Sequence, residues 1–206
     1  MNITKYPSFI LSNLADLRKL IAISRANNEK YSWVRLVDTQ SMSPSFDGDI
    51  NLLVEWSNPY TFRNGDLIVV SKPNLPFLLV HRACGYRLEK NERQVLQIAD
   101  HFISRNEISA SWVNLDSILG KIVQIRYGAN KQVVALDSVF LQKLSFQIAR
   151  LSMRKYTLII NEDYTKKFFL SLYFVTLNHR IFCYLFRFAL FLNAHLIKTF
   201  KSSQMD

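Results

Sequence analysis

Ser41 opens the stretch Ser41-Met42-Ser43-Pro44, and His81 sits forty residues later at the end of the apolar run "PFLLVHR". A serine hydroxyl is a weak nucleophile until a neighbouring base takes its proton. Histidine starts with a pKa near the range in which it does so. The chemistry this pair offers is acyl transfer, with Ser41 attacking a carbonyl and His81 acting first as general base, then as general acid. Each residue also has an ordinary reading. Serine and proline are common in turns, and "DTQSMSPSFDGD" reads equally as a turn ahead of a strand. His81-Arg82 reads as the point where a strand exits to solvent. Lys72, at the end of "DLIVVSK", is a fallback base, although a solvated lysine at a strand end explains it more simply. His101, beside Asp100 in "QIADHF", competes for the histidine role from a polar loop. His179 and His195 fall in an apolar segment and suit packing or an interface.

The elements that must position these groups are short. "YSWVRLVD", "DINLLVEW", "DLIVVSK", "PFLLVHR", "RQVLQIA", "ILGKIVQIRYG" and "KQVVAL" are β-rich runs separated by Asp47-Gly48, Asn58-Pro59, Asn64-Gly65 and Gly128. They predict a compact, mainly antiparallel β domain over residues 31–136. Before it, Phe9, Ile10, Leu14, Leu17, Leu20 and Ile21 recur at helical intervals and predict an amphipathic helix from Pro7 to Arg25, within an N-terminal segment 1–30. After it, residues 137–206 form a helical, basic-aromatic extension. Val139, Phe140, Leu144, Ile148 and Leu151 mark one helical face there, and a longer apolar stretch lies between Lys166 and Lys201.

The order of these features resembles that of the signal peptidase I and repressor-cleaving serine peptidase clan. There, a Ser-Met-x-Pro motif supplies the nucleophile, Gly-Asp turns precede strands, and a Lys-Arg or His-Arg pair supplies the base. In this chain the matching residues are Ser41-Met42-x-Pro44, Gly48-Asp49, Gly65-Asp66, His81-Arg82 and "ILGKIVQI", across residues 31–127. The resemblance implies a serine endopeptidase with a Ser-His dyad, closest to the endoplasmic-reticulum and archaeal variety. It implies Ser41 as nucleophile, His81 as base and Asp100 as the group that orients the imidazole. Thr39 and the Ser41 backbone N–H would form the oxyanion hole, and Met42 would line the substrate site. Asp49, Asp66 and Arg82 read as structural. The sequence departs from the clan at Ala99, where glycine is expected, and no Asn-Asn follows Asp100. A catalytically degenerate relative that keeps the scaffold as a binding module is therefore the alternative. A self-cleaving repressor is disfavoured, since neither a DNA-binding module nor a scissile loop is evident ahead of Ser41.

A chain of 206 residues carrying a formal charge of +10 points to an anionic neighbour. Nucleic acid is the weaker choice because no recognition motif accompanies the charge. The lysines around residues 166–201 suit an anionic membrane surface better, predicting peripheral attachment on the cytoplasmic side. The same apolar stretch reads equally as a helical cap on the β domain or a self-association surface; a true span is a minor option, since His179-Arg180 and Arg187 interrupt it. Asp16, Arg18 and Lys19 break the N-terminal apolar pattern, so no cleavable signal peptide is expected. The two cysteines, Cys84 and Cys183, have no metal-binding spacing, and no metal or organic cofactor is implied. The expected partner is a peptide or protein substrate; the oligomeric state is open.

Overall fold

The computed structural model describes residues 8–10, 19, 21, 23, 30–36, 40–46, 50–56, 62–75, 77–101, 109–127, 132–161 and 166–202. The chain is mainly β, with two C-terminal helices. The strands are β1 (Ser8–Ile10), β2 (Tyr31–Leu36), β3 (Ile50–Glu55), β4 (Leu67–Ser71), β5 (Leu78–Glu89), β6 (Glu92–Ile98), β7 (Ala110–Asn114), β8 (Ile118–Tyr127) and β9 (Gln132–Ala135). They make one sheet in the order β1-β2-β3-β8-β4-β5-β6-β7. One edge of β8 is shared in succession by β4, through Ile118 to Lys121, and β9, through Gln124 to Tyr127. All pairings are antiparallel except β1 with β2. Register shifts at Leu53/Val54, Val69/Val70 and Ala83/Gly85 add local twist, as bulges do.

Two of these elements correct the sequence reading. Ser8–Ile10 is not the start of a helix: it pairs with Trp33, Val34 and Arg35 along β2, where the open edge of a strand offers unpaired backbone groups. Helical backbone is present at Lys19, Ile21 and Ile23, and the remainder of the expected helix lies outside the described residues. The strand expected to end at His81-Arg82 runs on to Glu89, which places both residues in mid-strand.

The sheet has two packed faces. On one, Phe62, Ile68, Val70, Leu79, Ala83, Val95 and Val113 form a cluster. The other is covered by α1 (Val139–Asn161) and α2 (Lys166–Ser202), which meet Val54, Val80, Leu96 and Ile98. α1 starts at Ser138, whose hydroxyl accepts from the Leu141 N–H at 3.3 Å as an N-cap. Its inward stripe is Leu141, Leu144, Ser145, Ile148, Ala149, Ser152 and Lys155, at helical spacing. Leu144 and Ile148 face inward as expected, whereas Val139 and Phe140, in the first turn, are exposed. α2 turns Phe168, Val175, His179, Cys183, Phe186, Leu190 and Ala194 toward the protein along most of its length. Gly65 seats the β4 turn against α1. Its φ of 100° is left-handed, and a Cβ there would lie 2.8 Å from the Phe146 nitrogen.

Candidate functional site

Ser41 lies in a 3-10 turn, Gln40–Met42, between β2 and β3. Apolar burial anchors this turn. Met42 and Phe46 are fully buried, and the Phe46 N–H donates to the Met42 carbonyl at 3.1 Å. Met42 is fully buried within the apolar cluster shared with α1 and α2, the ordinary core role that is the alternative to lining a substrate site. Thr39 lies outside the described residues.

The turn is tied to the middle of β5 and to the turn that follows β6 by polar contacts. The Ser41 carbonyl accepts from the His101 backbone N–H at 3.3 Å and from His101 Nδ1 at 2.9 Å. Ser45, also fully buried, receives Arg82 Nη2 at 3.4 Å. Arg82 is the hub of this face. Its Nε and Nη2 donate to the two Asp100 oxygens at 3.0 and 2.7 Å, Nη1 reaches the Gly65 carbonyl at 3.3 Å, and Nη1 also donates to Ser145 Oγ. The guanidinium stands 5.2 Å over the Phe186 ring. Both side chains of the Arg82–Asp100 pair are wholly buried. Burial alone would raise the Asp100 pKa, but the charge and hydrogen bonds of Arg82 outweigh it and hold the carboxyl below its usual value. Arg82 and Asp66 therefore fill the structural roles expected of them; Asp66 pairs with Lys121 at 3.0 Å and caps the Arg63 N–H at 2.8 Å.

His81 faces away from this hub. Side chains alternate along a strand, so Leu79, His81 and Ala83 share one face of β5, while Val80, Arg82 and Cys84 point to the helices. Asp100 is committed to Arg82, and it is Gln97, not Asp100, that meets the imidazole: His81 Nδ1 hydrogen-bonds Gln97 Oε1. The Gln97 amide nitrogen donates to Ser111 Oγ at 2.9 Å, and Lys72 Nζ donates to the same oxygen at 2.7 Å. Lys72 thus belongs to a relay behind the imidazole. Burial pushes the His81 pKa down to about 4; the Gln97 bond and the Asp100 charge oppose the shift, and the Lys72 and His101 charges deepen it. Among the described residues its buried Nε2 has no hydrogen-bond partner, and Ser41 Oγ and His81 are not joined.

A cleft of about 440 Å³ opens between the Ser41 turn and the helices. Ser43, Pro44, Asp100 and His101 line one wall; Lys155, His179, Arg180 and Tyr184 line the other. Lys155 escaped the sequence reading. It continues the inward stripe of α1, and burial, followed by the charge of Arg180, lowers its pKa to about 8. The periodicity of α1 would have found it, since Lys155 follows Ile148 and Ser152 at intervals of four and three.

Asp100, His179 and Cys183 bring one oxygen, one nitrogen and one sulfur ligand atom within 4.8 Å of one another. These are zinc-ligand types. However, both Asp100 oxygens already accept from the Arg82 guanidinium, whose charge opposes a cation at that point. His179 Nε2 pairs with Ser152 Oγ at 2.8 Å, and Cys183 Sγ lies 3.8 Å from the ring. Burial raises the Cys183 thiol to about 12, far from a thiolate. The trio is the polar part of a packed interface.

Comparison with protein families, with characterised proteins and with solved structures gives no match to this chain.

Proposed function

We propose that this chain is a serine endopeptidase of the signal-peptidase type, in which Ser41 attacks a peptide carbonyl and His81 Nε2 takes the proton and returns it to the leaving amine. The observation that carries this reading is His81 itself. It is a buried, neutral imidazole whose Nδ1 is committed to Gln97 while Nε2 has no partner among the described residues. A buried polar atom left unmatched costs about 1–3 kcal/mol, and such atoms call for a reason; a base awaiting its proton donor supplies one. The Ser41 turn is held by His101, just past the end of β6, and by Arg82, in the middle of β5. The dyad is not assembled in this structure; completing it requires the Ser41 turn to move from the helical side so that Oγ comes within roughly 3 Å of Nε2. The antiparallel β sheet supports the reading at the level of fold class. A fluorophosphonate probe tests it on the full chain. Labelling is expected for the wild type and is abolished by Ser41→Ala and by His81→Ala, with folding checked by circular dichroism. Unchanged labelling in both variants would sink the assignment. A folded wild type that never labels would favour the non-catalytic binding module.

The outward face of α2 supports attachment to an anionic membrane. Phe169, Tyr173, Phe174, Ile181, Tyr184, Phe188 and Phe191 are exposed there, interspersed with exposed Lys167, Arg180 and Arg187. The stretch Lys167–Ala194 is long and apolar enough to cross a bilayer, about 42 Å at 1.5 Å per residue. Its inward stripe is nevertheless packed on the protein from Phe168 to Ala194, which suits a helix lying in the membrane plane rather than across it. Flotation with anionic liposomes should retain the full chain and lose a truncation ending at Asn161. Equal flotation of both would refute the attachment.

A further inference from the structure

We infer that Gln97 is a positioning residue for the proposed base: backed by Ser111 and Lys72, its carboxamide fixes His81 in the tautomer that carries the proton on Nδ1 and leaves the Nε2 lone pair free. The inference deepens the peptidase reading and rests on it for its functional meaning, but its geometry stands alone. An ammonium group only donates, so Lys72 Nζ at 2.7 Å makes Ser111 Oγ an acceptor. That oxygen has a second lone pair, which takes the Gln97 amide N–H at 2.9 Å. In this structure the carboxamide turns its oxygen toward the imidazole. A carbonyl oxygen only accepts, so the proton belongs on His81 Nδ1. The opposite ring nitrogen is then the basic one, and among the described residues that buried nitrogen has no partner.

The backbone register supports the arrangement. Gln97 pairs with Ala83 and Ser111 across the sheet, so β5, β6 and β7 each present one member of the chain on the same face. An uncharged amide does what the resemblance would have assigned to Asp100: it orients the ring without the compensating charge that a carboxylate would bring. The difference matters for the reaction, since the imidazolium formed when His81 takes the proton meets a dipole rather than an anion.

The test is the ¹⁵N chemical shift of the two His81 ring nitrogens, read by long-range ¹H–¹⁵N correlation on the full-length protein at neutral pH. The wild type should show a protonated Nδ1 and an unprotonated Nε2. Gln97→Leu, with folding confirmed by amide spectra, should shift the ring to a mixture or to the Nε2–H form. Probe labelling of Ser41 should fall in parallel, by up to the roughly 10²- to 10⁴-fold that a general base contributes. Gln97→Glu, which keeps an acceptor at the same point, should retain the Nδ1–H form even if its labelling rate differs. An Nε2–H tautomer in the wild type, or one unchanged in folded Gln97→Leu, would overturn the inference. Failure of the peptidase reading shows separately, as a wild type with the expected tautomer that does not label at Ser41.

Discussion

Replacing Arg82 with methionine keeps an apolar stem of similar reach and deletes the guanidinium, which makes it the sharpest probe of how the Ser41 turn is held. The change removes both hydrogen bonds to Asp100 and those to the Gly65 carbonyl, Ser145 and Ser45. The Asp100 carboxylate then stays wholly buried with no cation beside it. Removing one partner of a buried, hydrogen-bonded ion pair costs about 3–5 kcal/mol, mostly for the charge left behind. With a urea m-value on the order of 2 kcal/mol per molar, the unfolding midpoint should fall by about 2 M. Arg82→Met with Asp100→Asn should be less damaging than Arg82→Met alone, because the stranded charge is gone. The pH dependence carries a second signature. In the wild type the Asp100 pKa is depressed, so its contribution is present above the unfolded carboxyl value, about 3.9, and is lost as pH falls through the folded pKa. In Arg82→Met the carboxyl pKa rises instead, and mild acid narrows the gap between variant and wild type. A midpoint within about 0.3 M of the wild type, or a double variant as unstable as the single, would refute the reasoning.

Two further outcomes rest on the same face and its neighbours. His81 stays neutral in the fold down to about pH 4, whereas the unfolded chain protonates its histidines near 6.5. The unfolded state therefore binds the extra proton across that window, and native stability should drop by about 3 kcal/mol per such histidine between pH 6.5 and 4. His179 is lowered to about 4 as well, by burial, so His81→Gln should roughly halve the slope of urea midpoint against pH; an unaltered slope would contradict the burial argument. Gly65→Ala forces a side chain into a left-handed backbone position, with its Cβ 2.8 and 2.9 Å from the backbone of Phe146 and Ser145. It should cost at least about 1–3 kcal/mol and loosen α1, seen as a lower Tm and faster proteolysis of the helices; a wild-type Tm would show that the turn can shift freely.

The strands with strong apolar alternation were legible from the sequence, because period-two runs bounded by Gly-Asp and Asn-Gly turns have few other solutions. The elements that escaped it depend on partners. β7, "ASWVN", carries Ser111 and Asn114 and too few apolar residues to stand out, yet it pairs fully with β6. β1 is three residues whose strand conformation comes from the edge of β2. His81-Arg82 read as a strand end because two basic residues in a buried strand violate the pattern until their partners are known; Gln97 and Asp100 are fifteen or more residues away. The inward phase of α1 begins at Leu141 rather than at Val139, a choice made by the Ser138 cap and the β4 turn that docks on it. In the site, Ser41 and His81 could be singled out by type and order, whereas Gln97, Ser111 and Lys155 emerge only from register and packing.

That register also explains why two adjacent basic residues do different work. In an antiparallel pair, cross-strand neighbours share a face, and Arg82 lies opposite Ile98. Ile98 and Leu96 point to the helices, and Asp100, two residues beyond Ile98, keeps that side and meets Arg82. Gln97 and Val95 point the other way, toward the face that holds His81. A carboxylate at 100 is thus on the wrong side to orient the imidazole, and the residue that can do so must have the parity of 95 and 97. The helical side also holds the Ser41 turn: Arg82 donates to Ser45, and His101, in the turn beyond the end of β6, donates to the Ser41 carbonyl. β5 and β6 therefore carry the proposed base on one face and the contacts that hold the Ser41 turn on the other. Arg82→Met should accordingly slow Ser41 labelling while leaving the His81 tautomer as it is, and Gln97→Leu should change the tautomer while leaving the Ser41 turn in place. A loss of the Nδ1–H tautomer in folded Arg82→Met would show that the two faces are not separate.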